Sequence, residues 1–137
     1  MPVVDPDPKR LPDILKSIPA DTPIVMLNLL RFRETADYTA SPSLAPDTPI
    51  TGAHAYARYM RHAAPFLAQA GGELLFKGQG GAALIGPSEE RWDLTLLVRH
   101  RSVQGFLSFA KDPAYLAGVG HRTAALEDSR LLPLTEG

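Results

Sequence analysis

Apolar positions recur along this chain with two different periods, and the switches between them mark its elements. Residues 24–32, "IVMLNLLRF", form an almost unbroken apolar run that predicts a first strand, interrupted by Asn28 and Arg31. From 52 to 70 the spacing becomes helical: Tyr56, Tyr59, Met60, Ala63, Leu67 and Ala70 fall on one stripe. Thr51 suits the entry to this helix, Pro65 should bend it, and Gly71–Gly72 offer a left-handed stop. A glycine-rich second strand follows over roughly 73–85. Period-two alternation returns at 92–100, with Trp92, Leu94, Leu96 and Val98 on one face and Asp93, Thr95 and Arg99 on the other.

Ser102 then caps a helix whose stripe is Val103, Phe106, Leu107 and Ala110. Asp112–Pro113 restarts helical structure, with Leu116, Val119, Thr123 and Leu126 as its buried side, although Gly118 and Gly120 weaken its continuity. A last strand is expected at 129–136, where Pro133 cannot donate to a ladder and so marks a sheet edge or a bulge. Ahead of all this, residues 1–21 read as an extension with one short helix, begun at Pro12 and ended by Pro19. Residues 34–50 have three prolines and no clear period, and loops of that length are often lids, binding loops or disordered spans.

The order is β-α-β-β-α-β, the split βαβ plan of a ferredoxin-like α+β fold: a four-stranded antiparallel sheet with helices on one face. Residues 1–137 are expected to make one such domain. The uncovered sheet face needs a partner, and face-to-face pairing with a second copy is the economical solution.

Composition removes several function classes. A net charge of −1 with scattered Lys and Arg gives no basic face for nucleic acid. The absence of cysteine excludes disulfide and thiolate chemistry and fits a reducing cytoplasm. No apolar stretch is long enough to span a membrane, and "MPVVDPDPKRLPD" lacks the basic-then-apolar pattern of a signal peptide. A cytoplasmic protein is the expectation.

Four segments together resemble the family known as domain of unknown function 1330: "VMLNLLRFRE", "GAHAYARYMRHAAPFLAQAGGELLFKGQG", "LIGPSEERWDLTLLVRHRS" and "DPAYLAGVGHRTAALEDSRLLPL". The resemblance covers about residues 22–134, and the paired glycines, the "RWD" step and the Asp-Pro-x-Tyr step are its more specific parts. It implies a dimeric α+β barrel, in which two ferredoxin-like sheets pack face to face. That superfamily contains cofactor-free oxygenases of aromatic polyketides, small lactone isomerases and haem-binding relatives. The 34–50 loop departs from it, since typical members pass quickly from the first strand to the first helix.

Among candidate chemical groups, Asn28 could hold an enolate or carbonyl oxygen through its amide, or satisfy a neighbouring backbone group. Strand parity puts it with Met26, Leu30 and Phe32, and puts Arg31 and Arg33 with Leu27 and Leu29 on the other face. Arg31 could grip an anionic ligand or simply meet an acid such as Asp37 at the strand exit. His54, His62, His100 and His121 show no metal-ligand spacing, and three of them adjoin arginines, so neither a metal nor an axial haem ligand is expected. His100 and His121 stay open as general bases or as surface and cap residues. Tyr56, Tyr59, Trp92 and Tyr115 are core by periodicity but could lend polar tips to a pocket. Arg122 could pair with Asp128 or Asp93, or bind an acidic ligand. "GQGG" at 78–81 has no helix start and no Lys-Ser/Thr after it, so it is no phosphate loop, and no Gly-x-Ser-x-Gly elbow exists.

The expected function is therefore a homodimeric small-molecule-binding protein without cofactor. If catalytic, the resemblance implies proton abstraction or oxygen addition on an aromatic or enolisable substrate. Asn28, Arg31 and His121 would act on it, and Tyr56, Trp92, Tyr115 and Arg122 would bind it. The alternative is a non-catalytic dimeric scaffold whose polar strand residues serve the interface.

Overall fold

A computed structural model describes residues 2–136. Its four strands are β1 (Ile24–Phe32), β2 (Glu73–Gln79), β3 (Leu94–His100) and β4 (Leu126–Leu134), all antiparallel, in the spatial order β2-β3-β1-β4. The helices are α1 (Leu11–Lys16), α2 (Gly52–Gln69), α3 (Val103–Ala110), α4 (Pro113–Leu116) and α5 (Gly120–Ala125). This is the ferredoxin-like α+β arrangement that the periodicities predict.

The apolar run of β1 makes it a central strand, buried by ladders on both sides. Asn28 stands opposite Leu96 of β3 and Leu131 of β4, whereas Leu29 stands opposite Thr95 and Arg130. Opposed residues share a face, so Met26, Asn28, Leu30, Leu94 and Leu96 look towards the helices. There Leu30, Leu94 and Leu96 pack with Ala55 and Tyr56 of α2 and with Ala124 and Ala125 of α5. The opposite face carries Leu27, Leu29, Leu97, Phe76 and Leu132, and no element among the described residues covers it: Phe76 is 55% and Leu132 52% exposed.

Local chemistry sets the element ends. Thr51 Oγ1 accepts from His54 N at 3.0 Å, Ser102 Oγ from Gly105 N at 3.1 Å and Asp112 Oδ1 from Ala114 N at 2.9 Å, so all three expected caps form. Thr51→Ala should destabilise the fold by about 1 kcal/mol, read as a lower urea midpoint with an unchanged m-value. Gly71, with φ of 81°, ends α2 in the left-handed conformation. α2 itself runs on through Pro65 to Gln69. Asp93 explains the "RWD" step: its Oδ2 accepts from Phe32 N at 2.8 Å, where the β1–β4 register shifts, and its Oδ1 accepts from Arg91 at 2.9 Å.

Several boundaries differ from expectation. β2 stops at Gln79 rather than 85, because residues 80–93 leave the sheet as an arm fastened only at its base. β3 begins at Leu94 rather than Trp92. The Asp-Pro restart gives two short helices instead of one, broken across Gly118, and Leu126 belongs to β4, which starts three residues early and ends at Leu134. Pro133 lies, as expected, on an edge strand.

The 34–50 loop is packed against the body of the domain. Its ends are joined by a Thr35–Thr51 bridge and by Ala36 N donating to Ile50 O at 2.9 Å. Tyr38 from its middle is buried in the core, and a 3-10 turn at Pro42–Leu44 follows. Gly120 lets Ser41 and Leu44 approach α5, since a Cβ there would meet both.

Candidate functional site

On the helix-covered side, α2 and the segment 113–125 place a group of polar tips in apolar surroundings. Tyr56 and Tyr59 project from one stripe of α2, with their rings 5.2 Å apart. Tyr115 reaches them from α4, and its hydroxyl lies 2.8 Å from that of Tyr59. Phe32 and Phe109 close the group, at 5.6 Å from the Tyr56 ring and 4.3 Å from the Tyr115 ring. Burial, opposed by the Arg122 guanidinium beside it, pushes the Tyr56 hydroxyl up to about 12. Burial, reinforced by Tyr115 and Tyr56, raises Tyr59 well above its ordinary value. Both stay protonated at neutral pH and offer hydrogen-bond donors rather than phenolates.

Arg122 is tied into the structure. Its Nη1 donates to Val4 O at 2.7 Å, its Nη2 lies 3.5 Å from Ser129 Oγ, and Asp5 stands 4.0 Å away. The expected partners are not its own: Asp128 holds Val3 N and Arg130, and Asp93 holds Phe32 N and Arg91. Arg122 also hydrogen-bonds the Tyr56 side chain, and a guanidinium with five N–H groups can still take a further acceptor.

His121, the neighbour of Arg122 on α5, meets Tyr38 with Nδ1 and Oη 2.7 Å apart and the rings edge to face. Burial first, then the electrostatic effect of the nearby Arg58 and His62, holds this imidazole below its ordinary value. It is neutral at pH 7, which a proton acceptor requires, and Tyr38 orients it. His62 serves the fold instead. Its Nε2–H donates to the carbonyls of Ala114 and Tyr115 at 2.9 and 3.0 Å, and so fixes α4 and with it Tyr115.

Of the residues singled out in the sequence, Asn28, Tyr56, Tyr115, Arg122 and His121 thus lie on the helix-covered side. Asn28 Nδ2 makes a local bond to Met26 O at 3.3 Å. Arg31 and Trp92 are elsewhere. Arg31 occupies the uncovered face and pairs with Glu127, Nε to Oε2 3.3 Å, not with Asp37. Trp92 lies under the Arg130 guanidinium, 5.2 Å from its ring centre, because it precedes β3 and escapes the strand's parity. His100 is 2% exposed and enclosed by Phe106 and Phe109, so it cannot reach a substrate as a base. Periodicity misses Tyr38, although a lone aromatic amid the polar 34–50 stretch is a signal of burial. Two cavities lie away from the tyrosines: one of 770 Å³ between α1 and α3, and one of 290 Å³ on the uncovered face beside Leu27, Leu29 and Leu132. Among the described residues, no three His, Asp or Glu converge as metal ligands, and no helix is long and apolar enough to cross a membrane.

Comparison with known proteins agrees with the ferredoxin-like fold. Two solved structures of the RPA0582 protein, from Rhodopseudomonas palustris and described as of unknown function, superpose with TM-scores of 0.86 and 0.87 at 36% identity. The alignments cover 99–100% of this chain and 96–98% of those chains. A Bacteroides fragilis protein, described as dimeric, of unknown function and ferredoxin-like, matches with a TM-score of 0.52 at 12% identity, over 86% of this chain and 100% of that one. No curated protein matches. The model of the family called Domain of unknown function (DUF1330) matches residues 47–133, a span that holds α2, the helical segment with Tyr115, His121 and Arg122, and most of β4; the chain belongs to that family.

Proposed function

We propose that the chain is a single ferredoxin-like domain that works in the cytoplasm as a homodimer, joined through its uncovered sheet faces. Each subunit would bind a small anionic aromatic or enolisable molecule against the tyrosine cluster. The dimer rests on the apolar outer face of Leu27, Leu29, Leu97, Phe76 and Leu132, whose exposure is costly in a monomer. The binding role rests on the convergence of the Tyr56, Tyr59 and Tyr115 hydroxyls with Arg122 in an otherwise apolar layer, next to the neutral His121. In turnover, protonated tyrosines and Arg122 would hold the developing oxyanion. His121, oriented by Tyr38, would take the proton without a cofactor, in the manner of an isomerase or an oxygenase that begins from an enolate. Asn28 is retained as an oxyanion contact on this side of the sheet. Arg31 and Trp92, held at other places in the fold, take no part.

One observation favours the scaffold alternative: Tyr59 and Tyr115 satisfy each other, and both cavities open elsewhere. Titration of the protein with benzoate, salicylate and acetoacetate, followed by intrinsic fluorescence, separates the two. Tyr59→Phe and Arg122→Gln should each weaken binding about tenfold, the value of one charged or well-aligned hydrogen bond. His121→Gln should leave affinity intact and abolish exchange of the acetoacetate C2 protons above the uncatalysed rate in D2O. No binding by any of the three ligands, or binding indifferent to both substitutions, returns the protein to the scaffold reading.

A further inference from the structure

The arm between β2 and β3 has an apolar tip that nothing among the described residues covers: Leu84 and Ile85 are fully exposed. Its base is fixed, with Gly80 N donating to Asp93 O, Trp92 N donating to Gly81 O and an Ala82–Arg91 bridge. Just beyond the tip come Glu89 and Glu90. The 770 Å³ cavity between α1 and α3 is complementary: an apolar groove of Leu11, Leu15, Ile18, Val103 and Leu107, bordered by Lys16 and Lys111. Among the described residues, neither lysine nor either glutamate is in an ion pair. Apolar surface with acidic neighbours thus matches apolar surface with basic ones.

The arm does not fill the groove of its own subunit, since Leu84 and Ile85 are fully exposed. It leaves the sheet where β3 begins, at Leu94, whereas α3 starts three residues after the other end of β3, where His100 stands opposite Ile24. The six residue steps from Leu94 to His100 separate these ends by about 20 Å. The eight residues beyond the Ala82–Arg91 bridge, folded back as a loop, reach at most about 14 Å.

We propose that the Leu84–Glu90 arm of one subunit docks in the α1–α3 groove of a second copy of this chain, Leu84 and Ile85 entering between the helices and Glu89 and Glu90 meeting Lys16 and Lys111. A twofold axis makes the contact reciprocal, so each dimer contains it twice. The inference rests on the homodimer proposed above and adds to it a contact outside the sheet faces.

The chain has no cysteine, so engineered thiols report alone. Leu84→Cys and Gln104→Cys, both at exposed positions, are made separately, mixed to exchange subunits and treated with a short bis-maleimide. The expected result is a covalent dimer whose linked peptides join position 84 of one chain to position 104 of the other. Ile85→Asp should raise the dimer dissociation constant at least tenfold in sedimentation equilibrium. A dimer that sediments as such, yields no 84–104 link and is indifferent to Ile85→Asp overturns the arm contact and leaves the sheet-face dimer standing. A wild-type monomer at micromolar concentration overturns both.

Discussion

Gly52→Ala is expected to lower the melting temperature by about 10–15 °C, a large effect for the addition of one methyl group. Gly52 opens α2 and is buried where the exit of β1 and the end of α5 meet. Its N–H donates to Arg33 O at 3.1 Å, and Arg33 N donates to Ala125 O at 2.8 Å. A Cβ at this position would lie 2.7 Å from Ala125 O and 2.8 Å from Arg33 N, and would overlap Arg33 O. These are backbone atoms, so no rotamer change relieves the clash. Separation of three elements must do so, at a cost of about 3 kcal/mol, the upper part of the range for overpacking. Gly81→Ala is the control, since a Cβ there meets nothing within 4 Å, and its melting temperature should match the wild type. Equal melting by the two variants would show that the junction yields.

The second large effect is loss of stability in mild acid, centred on His100. This imidazole is sealed between Phe106 and Phe109, its Nδ1 has no hydrogen-bond partner, and burial pushes its pKa down to about 4. In the unfolded chain it titrates at its ordinary value of 6.5. Above that pH both states are neutral and nothing is lost. As pH falls from 6.5 towards 4, the unfolded chain gains a proton that the folded protein refuses, and stability drains away. Allowing for residual solvent screening, the loss by pH 4.5 is about 2 kcal/mol. His121 is lowered in the same direction and adds to it. His100→Leu should flatten this part of the profile and, by removing an unpaired buried nitrogen, should cost little at pH 7. Urea unfolding at pH 7.5 and pH 4.5 measures both. A mutant with the same loss between the two pH values as the wild type would place the acid sensitivity elsewhere.

Much of the site could be read one element at a time. The parity of β1 separates Asn28 from Arg31, and the ladder registers agree, because side-chain alternation is a property of any strand and needs no knowledge of its neighbours. The stripe on α2 places Tyr56 and Tyr59 inward for the same kind of reason. What joins them to Tyr115, Arg122 and His121 could not be read that way. Tyr115 arrives through a helix broken at Gly118 and clamped by His62, and His121 acquires its partner from a loop 83 residues away, through Tyr38. Contacts at such separations depend on how elements pack, which no local period records.

By itself, then, the sequence determined the order and type of the main elements, the four-stranded α+β plan, the caps at Thr51, Ser102 and Asp112, and which face of β1 each polar residue takes. Local hydrogen bonds and periodic burial settle these within a few residues of chain. Only the tertiary structure decided that Arg31 and Trp92 stand apart from the tyrosines, that the 34–50 loop contributes to the core, that His100 is sealed and that the 80–93 arm projects uncovered. Each of those outcomes depends on the balance of burial against exposure between segments distant in sequence, a balance struck only when the layers meet.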